Sequence, residues 1–204
     1  MRIGVFGGTF DPIHLGHLIL AEQCREQAQL DQVLFVPAAR PPHKPEHVLT
    51  PFAQRVEMLA VAIAGQPAFR IDELERDRPG PSFTADTLEE IKQRNPGAEL
   101  LLIVGADTLH DLPHWHEPAR IAALAEILVV ARSDWVMLSG PELSKALRLP
   151  AEAPLRQRSI HVPTIGISSR DLRCRAAEGR SLRYLVPRAI EAYIHEKRLY
   201  RDPV

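Results

Sequence analysis

Met1-Arg2-Ile3-Gly4-Val5-Phe6-Gly7-Gly8-Thr9-Phe10-Asp11-Pro12-Ile13-His14-Leu15-Gly16-His17 opens the sequence and sets what the remaining residues must build around. Arg2 to Phe6 is a short run with β-branched residues that stops at Gly7 and Gly8, so it reads as a buried strand passing into a loop. Pro12 and then Leu15 to Leu30, with apolar residues at Leu15, Leu18, Ile19, Ala21 and Cys24, read as the start and body of an amphipathic helix. A strand, a glycine turn and a helix make a phosphate cradle: glycine lets backbone approach a ligand, and the first helical amides aim partial positive charge at it. Gly7, Gly8, Thr9 and Phe10 are its candidate residues. His14 and His17, three apart, present both rings on one side of the first helical turn. Two imidazoles beside a cradle point to phosphoryl chemistry, whereas the glycine pair alone would only join a strand to a helix.

Composition narrows the rest. With 204 residues, 45% of them hydrophobic, the chain is long enough to bury a core as one α/β domain, and no repeat or low-complexity tract divides it. The 25 basic residues are interleaved with 26 acidic ones for a net charge of −1, which provides no field suited to gripping a nucleic acid. Cys24 and Cys174 have no CxxC spacing, so they read as two reduced thiols rather than a disulfide scaffold or zinc ribbon. No apolar run approaches membrane-spanning length, and Met1 leads straight into the first strand, so a soluble cytoplasmic protein is expected. A homo-oligomer stays open, because nothing here fixes the oligomeric state.

Taken in order, Gln32 to Val36 forms a second strand, and strand, helix and strand in that sequence make a right-handed crossover in a parallel sheet. The proline-stiffened loop Ala38 to Pro45 leaves the carboxyl end of that strand, where open α/β sheets bind ligands; Arg40, His43 and Lys44 on it are placed to face an anion. Thr50 caps a helix reaching about Ala64, Phe69 to Leu74 is a third strand, and the polar, proline-rich Glu75 to Thr84 reads as a surface turn. Thr84 then caps a helix through Asn95, and either serves only as that cap or also binds a carboxylate or phosphate.

Glu99 to Val104 is a nearly unbroken apolar strand of the kind found mid-sheet, ending at Gly105-Ala106-Asp107, where Asp107 suits a ribose hydroxyl, a metal-bound phosphate or a helix cap. His114-x-His116 is too sparse for a metal site, and no protein metal ligands are expected. Trp115 either packs in the core or stacks on a flat electron-poor ring, and Trp135 is a weaker candidate. Ala119 to Ala125 continues as helix, Ile127 to Ala131 is a fifth strand and Ser159 to Val162 a sixth, with a short helical stretch near Glu142 to Leu147 between them. After Ile167, Ser168 or Ser169 caps another helix that carries Arg173 one turn on, supplying amides, hydroxyls and a guanidinium fork for a polyphosphate. Pro187 to Leu199 is a terminal amphipathic helix.

The run Gly7 to His17 resembles the Gly-x-Phe-x-Pro-x-His-x-Gly-His signature of the nucleotidylyltransferase superfamily, and Ile167 to Arg173 resembles its Ile-Ser-Ser-Thr-x-Ile-Arg signature, with Arg170 in place of the threonine and Leu172 in place of the second isoleucine. Between them, Arg40-Pro41-Pro42-His43-Lys44, Gly80-Pro81-Ser82-Phe83-Thr84-Ala85-Asp86-Thr87-Leu88 and Leu112-x-x-Trp115 are similar to segments of the bacterial nicotinate-nucleotide adenylyltransferases, Arg40 standing where lysine is usual. The resemblance implies a doubly wound, mainly parallel Rossmann-like α/β fold and transfer of AMP from ATP, with Mg²⁺, to nicotinate mononucleotide. It implies that His14, His17 and Arg173 act in catalysis and that Gly7, Gly8, Thr9, Phe10, His17, Gly105, Asp107, Ile167, Ser168 and Arg173 hold ATP. Arg40, Lys44, Thr84, the Ala85 amide, Trp115 and His116 are implied on the acceptor side. Nicotinamide mononucleotide, phosphopantetheine or a non-catalytic nucleotide sensor are the competing readings. A dinucleotide-dependent oxidoreductase lacks its Gly-x-Gly-x-x-Gly fingerprint after the first strand, and a P-loop kinase its Gly-Lys-Ser/Thr.

Overall fold

Alternation along the strands decides how the layers form. In β1 (Arg2–Gly8), Ile3 and Val5 face one side and Phe6 the other; in β4 (Glu99–Gly105), Leu100, Leu102 and Val104 oppose Leu101 and Ile103; in β5 (Ala125–Ala131), Ile127 and Val129 oppose Leu128 and Val130. Apolar residues on both faces require cover on both, so helices pack above and below the sheet. The computed structural model describes residues 1–42, 49–131, 140–147, 149 and 155–201.

The sheet is completed by β2 (Gln32–Pro37), β3 (Phe69–Ile71) and β6 (Gln157–His161), in the order β3-β2-β1-β4-β5-β6 with every pairing parallel. One face is covered by residues of α1 (Leu15–Gln27), α2 (Phe52–Ile63), α7 (Ser169–Ala177) and α8 (Arg188–Glu196). The other is covered by α3 (Thr84–Arg94), α5 (Pro118–Leu124) and α6 (Gly140–Ala146). The short α4 (Ala106–Asp111) and a 3₁₀ turn at Leu112–His114 follow β4. This is the expected doubly wound parallel sheet. Its strand order reverses between β1 and β4, so the crevice at their carboxyl ends is the place where such sheets bind ligands.

Several local expectations give way to tertiary contacts. β1 continues through both glycines, Gly7 pairing with Val36 and Gly8 with Pro37, because β2 offers partners to that depth. β3 ends at Ile71, not Leu74, since it sits at the sheet edge beside β2 among the described residues and the registered pairs stop at Phe35–Ile71. α1 stops at Gln27, where the Ala28 amide closes the helix onto Cys24, and Ile19 is exposed rather than on the apolar face. Thr50 and Thr84 are not the side-chain caps expected: Pro51 and Phe83 occupy the cap positions and neither makes a side-chain cap bond. The 75–84 segment is not simply a surface turn. Glu75 is buried and accepts from the Thr87 hydroxyl at 2.6 Å, while Arg78 donates to Thr87 at 2.9 Å and to Glu90 at 2.7 Å, drawing the loop inward.

Candidate active site

The turn after β1 is braced from distant parts of the chain. Asp11 is buried; its carboxylate accepts from the Thr50 amide at 3.2 Å and from the Tyr200 hydroxyl at 2.6 Å. The buried Arg55 guanidinium donates to the Thr9 carbonyl at 2.8 Å and the Thr50 carbonyl at 2.9 Å. From α7, Arg173 donates to the Asp11 carbonyl at 2.8 Å and the Ser169 hydroxyl to the Pro12 carbonyl at 3.0 Å. Phe10 sits within this frame at a φ of 48°, a left-handed conformation that costs a side-chain residue about 1 kcal/mol or more. Its ring is buried against Phe6, Phe35 and His17, with centroids 5.4, 5.7 and 5.2 Å away. Packing offsets the strain and sets a floor beneath the second imidazole.

The two histidines cap the helix as well as face the cleft. The His14 backbone N–H donates to Nδ1 of His17, and the His17 N–H donates to Nδ1 of His14, each at 3.3 Å. This is a reciprocal capping box built from imidazoles in place of the usual hydroxyl and carboxylate. A ring whose Nδ1 accepts carries its proton on Nε2 when neutral, so the box fixes the tautomer of both rings. The rings stack with centroids 3.6 Å apart. Burial, and then the neighbouring His14, hold the His17 imidazole well below its ordinary pKa, so it is neutral at physiological pH with a fixed Nε2–H. Gly16 between them leaves room for the ring: a Cβ there would lie 3.0 Å from Nδ1 of His14 and press on it.

Two clefts open on this turn. The first, about 570 Å³, brings His14, His17 and Arg173 together with Gly8, Thr9, Phe10, Ile167 and Ser168. Ser168 caps α7, its hydroxyl accepting from the Asp171 amide at 3.1 Å. The second, about 690 Å³, gathers Gly7, Thr84, Gly105, Trp115 and His116. Gly8, Thr9 and Thr108 line both, so the clefts meet at the mouth of the opening turn. Phe83 and His116 stack at 4.1 Å on the wall of the second cleft, and Trp115 is half-buried there, packed against the core while also lining the cavity.

Not every expected residue joins them. Arg40 lines neither cleft: its guanidinium donates to the Arg78 carbonyl at 3.3 Å, and its amide to the Ser82 hydroxyl at 3.1 Å. Ala85, in the first turn of α3, has a fully buried side chain, which leaves its amide as the candidate contact. His43, Lys44 and Trp135 lie outside the described residues, and the Asp107 side chain is likewise not described. Sequence reasoning passed over Thr108, Arg55 and Tyr200. Thr108 was marked only by its position after a strand-ending glycine, and nothing local signals that Arg55 and Tyr200 brace the opening turn, because the Thr9 and Asp11 atoms they hold there belong to residues 46 and 189 positions away. Among the described residues, no group of three or more His, Cys, Asp or Glu side chains is placed to hold a metal ion, and no helix is long and apolar enough to cross a membrane.

The arrangement matches known proteins over its whole extent. The profile of the family described as cytidylyltransferase-like matches residues 5–175. A relative from Thermus thermophilus, described as a probable nicotinate-nucleotide adenylyltransferase, is 48% identical over 201 residues, spanning 98% of this chain and 100% of its own. One of the same description from Thermomicrobium roseum is 48% identical over 200 residues, 98% of this chain and 92% of its own. In fold, the chain is similar to Plasmodium falciparum nicotinic acid mononucleotide adenylyltransferase complexed with NaAD, with a TM-score of 0.80 at 19% identity over 98% of this chain and 97% of that one. Full-length identity at this level, joined to a doubly wound sheet carrying both nucleotidyl-transfer signatures on one cleft, makes this chain a member of the nicotinate-nucleotide adenylyltransferase family.

Proposed function

We propose that the protein transfers AMP from ATP to nicotinate mononucleotide, forming nicotinate adenine dinucleotide (deamido-NAD⁺) and releasing pyrophosphate. The observation that carries this reading is the meeting of two clefts on Gly8, Thr9 and Thr108, one furnished with imidazoles and a guanidinium, the other with an indole and a helix start. ATP occupies the first and the acceptor mononucleotide the second, so the nucleophile and the α-phosphorus face one another at the shared turn.

The chemistry asks little of the protein beyond position and charge. A mononucleotide phosphate is already anionic at neutral pH, so its oxygen attacks the α-phosphorus in line, the bond to the bridging oxygen breaks and pyrophosphate leaves, with no general base and no covalent intermediate. His14 and His17, their Nε2–H groups fixed by the reciprocal cap, donate to α- and bridging phosphate oxygens as charge builds there. Arg173 and the start of α7 at Ser168 receive the β- and γ-phosphates. Mg²⁺ would be brought by ATP rather than by protein ligands, since no group of three or more His, Cys, Asp or Glu among the described residues would hold it, and it would supply neutralisation of the charge on the departing pyrophosphate. On the acceptor side Trp115 stacks on the pyridine ring, Thr84 and the Ala85 amide take the nicotinate carboxylate, and Lys44 screens the incoming phosphate. We place this work in the cytoplasm; both cysteines, Cys24 and Cys174, are free thiols.

The test is an acceptor screen: protein, ATP and Mg²⁺ with nicotinate mononucleotide, nicotinamide mononucleotide or phosphopantetheine, reading pyrophosphate. Preference for nicotinate mononucleotide is expected. A clear preference for phosphopantetheine overturns the substrate, and tight ATP binding without turnover on any acceptor overturns the enzyme.

A further inference from the structure

Tyr200 follows the last helix, and its hydroxyl donates at 2.6 Å to the carboxylate of buried Asp11, 189 residues earlier. The same residue, through its carbonyl, accepts one Nη of Arg173 at 2.8 Å, and no other hydrogen bond engages that guanidinium among the described residues. One residue, Asp11, thus ties a phenol from near the end of the chain, through its side chain, to the guanidinium that lines the first cleft, through its carbonyl. A long, flexible arginine fixed through a single Nη is directed by whatever fixes the carbonyl that holds it. Among the described residues, two hydrogen bonds hold the Asp11 carboxylate, from Tyr200 and from the Thr50 amide. We propose that Tyr200 is a positioning residue for nucleotidyl transfer: by anchoring the Asp11 carboxylate it sets the carbonyl that orients Arg173 toward the polyphosphate.

The phenol suits this task. Burial, then the Asp11 carboxylate, push its pKa well above the ordinary range, so it remains a neutral hydrogen-bond donor at any working pH. Hydrogen bonds to a carboxylate are short and strong, and this one draws additional constancy from its partly buried setting. The inference rests on the reading of Arg173 as a polyphosphate ligand.

Tyr200→Phe keeps the ring and deletes only the donor. ATP affinity is measured by calorimetry without acceptor, turnover by pyrophosphate release, and folding by thermal melting of the free protein. The expected result is a loss of about tenfold in kcat/KM for ATP, with the acceptor KM within roughly twofold and the melting temperature within about 4 °C. In an Arg173→Ala background the same substitution is expected to cost no further activity or affinity, because Tyr200 acts through Arg173. An equal loss in both backgrounds, an ATP response within twofold of wild type, or a Tyr200→Phe chain that does not fold each overturns the proposal. Wild type inactive on nicotinate mononucleotide would instead refute the substrate assignment, and the ATP affinities would still decide the role of Tyr200.

Discussion

The two clefts are built by different means. At the first, the opening turn is cross-braced: Thr9, Asp11 and Pro12 carbonyls are each held by a side chain from α2 or α7, and both histidines are locked into one another's backbone. The second is walled by aromatic faces, Trp115 and the stacked Phe83–His116 pair, with the Glu75–Thr87–Arg78 bonds behind. The contrast follows from what each side has to do. Stabilising charge that appears only in the transition state requires donors fixed in advance, whereas holding a flat ring requires area.

The sharpest way to break that comparison is to remove one fixed donor. His17→Ala is expected to lower turnover about a hundredfold, roughly 3 kcal/mol of barrier, while the acceptor KM stays near wild type. Turnover within about threefold of wild type at unchanged folding would remove His17 from the chemistry. Gly16→Ala displaces the His14 ring without deleting any donor; a cost of about 1–3 kcal/mol, expressed in kcat, separates position from presence. On the other side, Trp115→Ala is expected to raise the acceptor KM about tenfold and leave the KM for ATP unchanged, a split that steady-state kinetics reads directly. An equal rise in both constants would mean that the clefts are not separable.

Proton linkage sharpens the comparison further. The folded His17 pKa lies below its unfolded value, so between the two the unfolded chain binds more protons, and the neutral ring contributes stability that is present above about pH 6.5 and lost as pH falls toward the folded value. Melting wild type and His17→Gln side by side from about pH 7 to about pH 5 is expected to shrink the gap between them. A gap that widens on acidification would contradict a neutral His17. The smallest effect is expected at Arg40, whose guanidinium is already committed to the Arg78 carbonyl: Arg40→Ala changes the acceptor KM by less than about twofold.

Legibility followed distance along the chain. The cradle, the paired imidazoles and the serine cap ahead of Arg173 were readable because each is a contiguous pattern whose mechanism lies within one turn or one loop. The glycines proved to be strand as well as turn, since pairing with Val36 and Pro37 depends on a neighbour no local window contains. Thr84 was read as a cap when Phe83 holds that position, because both satisfy the same local pattern and only backbone geometry separates them. Arg40 drew attention as a cation on a stiff loop; its engagement by Arg78 lies 38 residues on.

Apolar strands alternating with helices were enough to read a parallel α/β sheet from the residues, while its doubly wound form and the residue types able to handle a polyphosphate came through the resemblance of two short signatures. Which residues share one cleft, which nitrogen of each imidazole is taken up as an acceptor, and that Arg55 and Tyr200 brace the turn were settled by tertiary contacts. The reason is physical: periodicity and caps are set by neighbours a few residues away, while a tautomer, a buried guanidinium and a carboxylate tied by a distant phenol depend on which atoms the folded chain brings within hydrogen-bond reach.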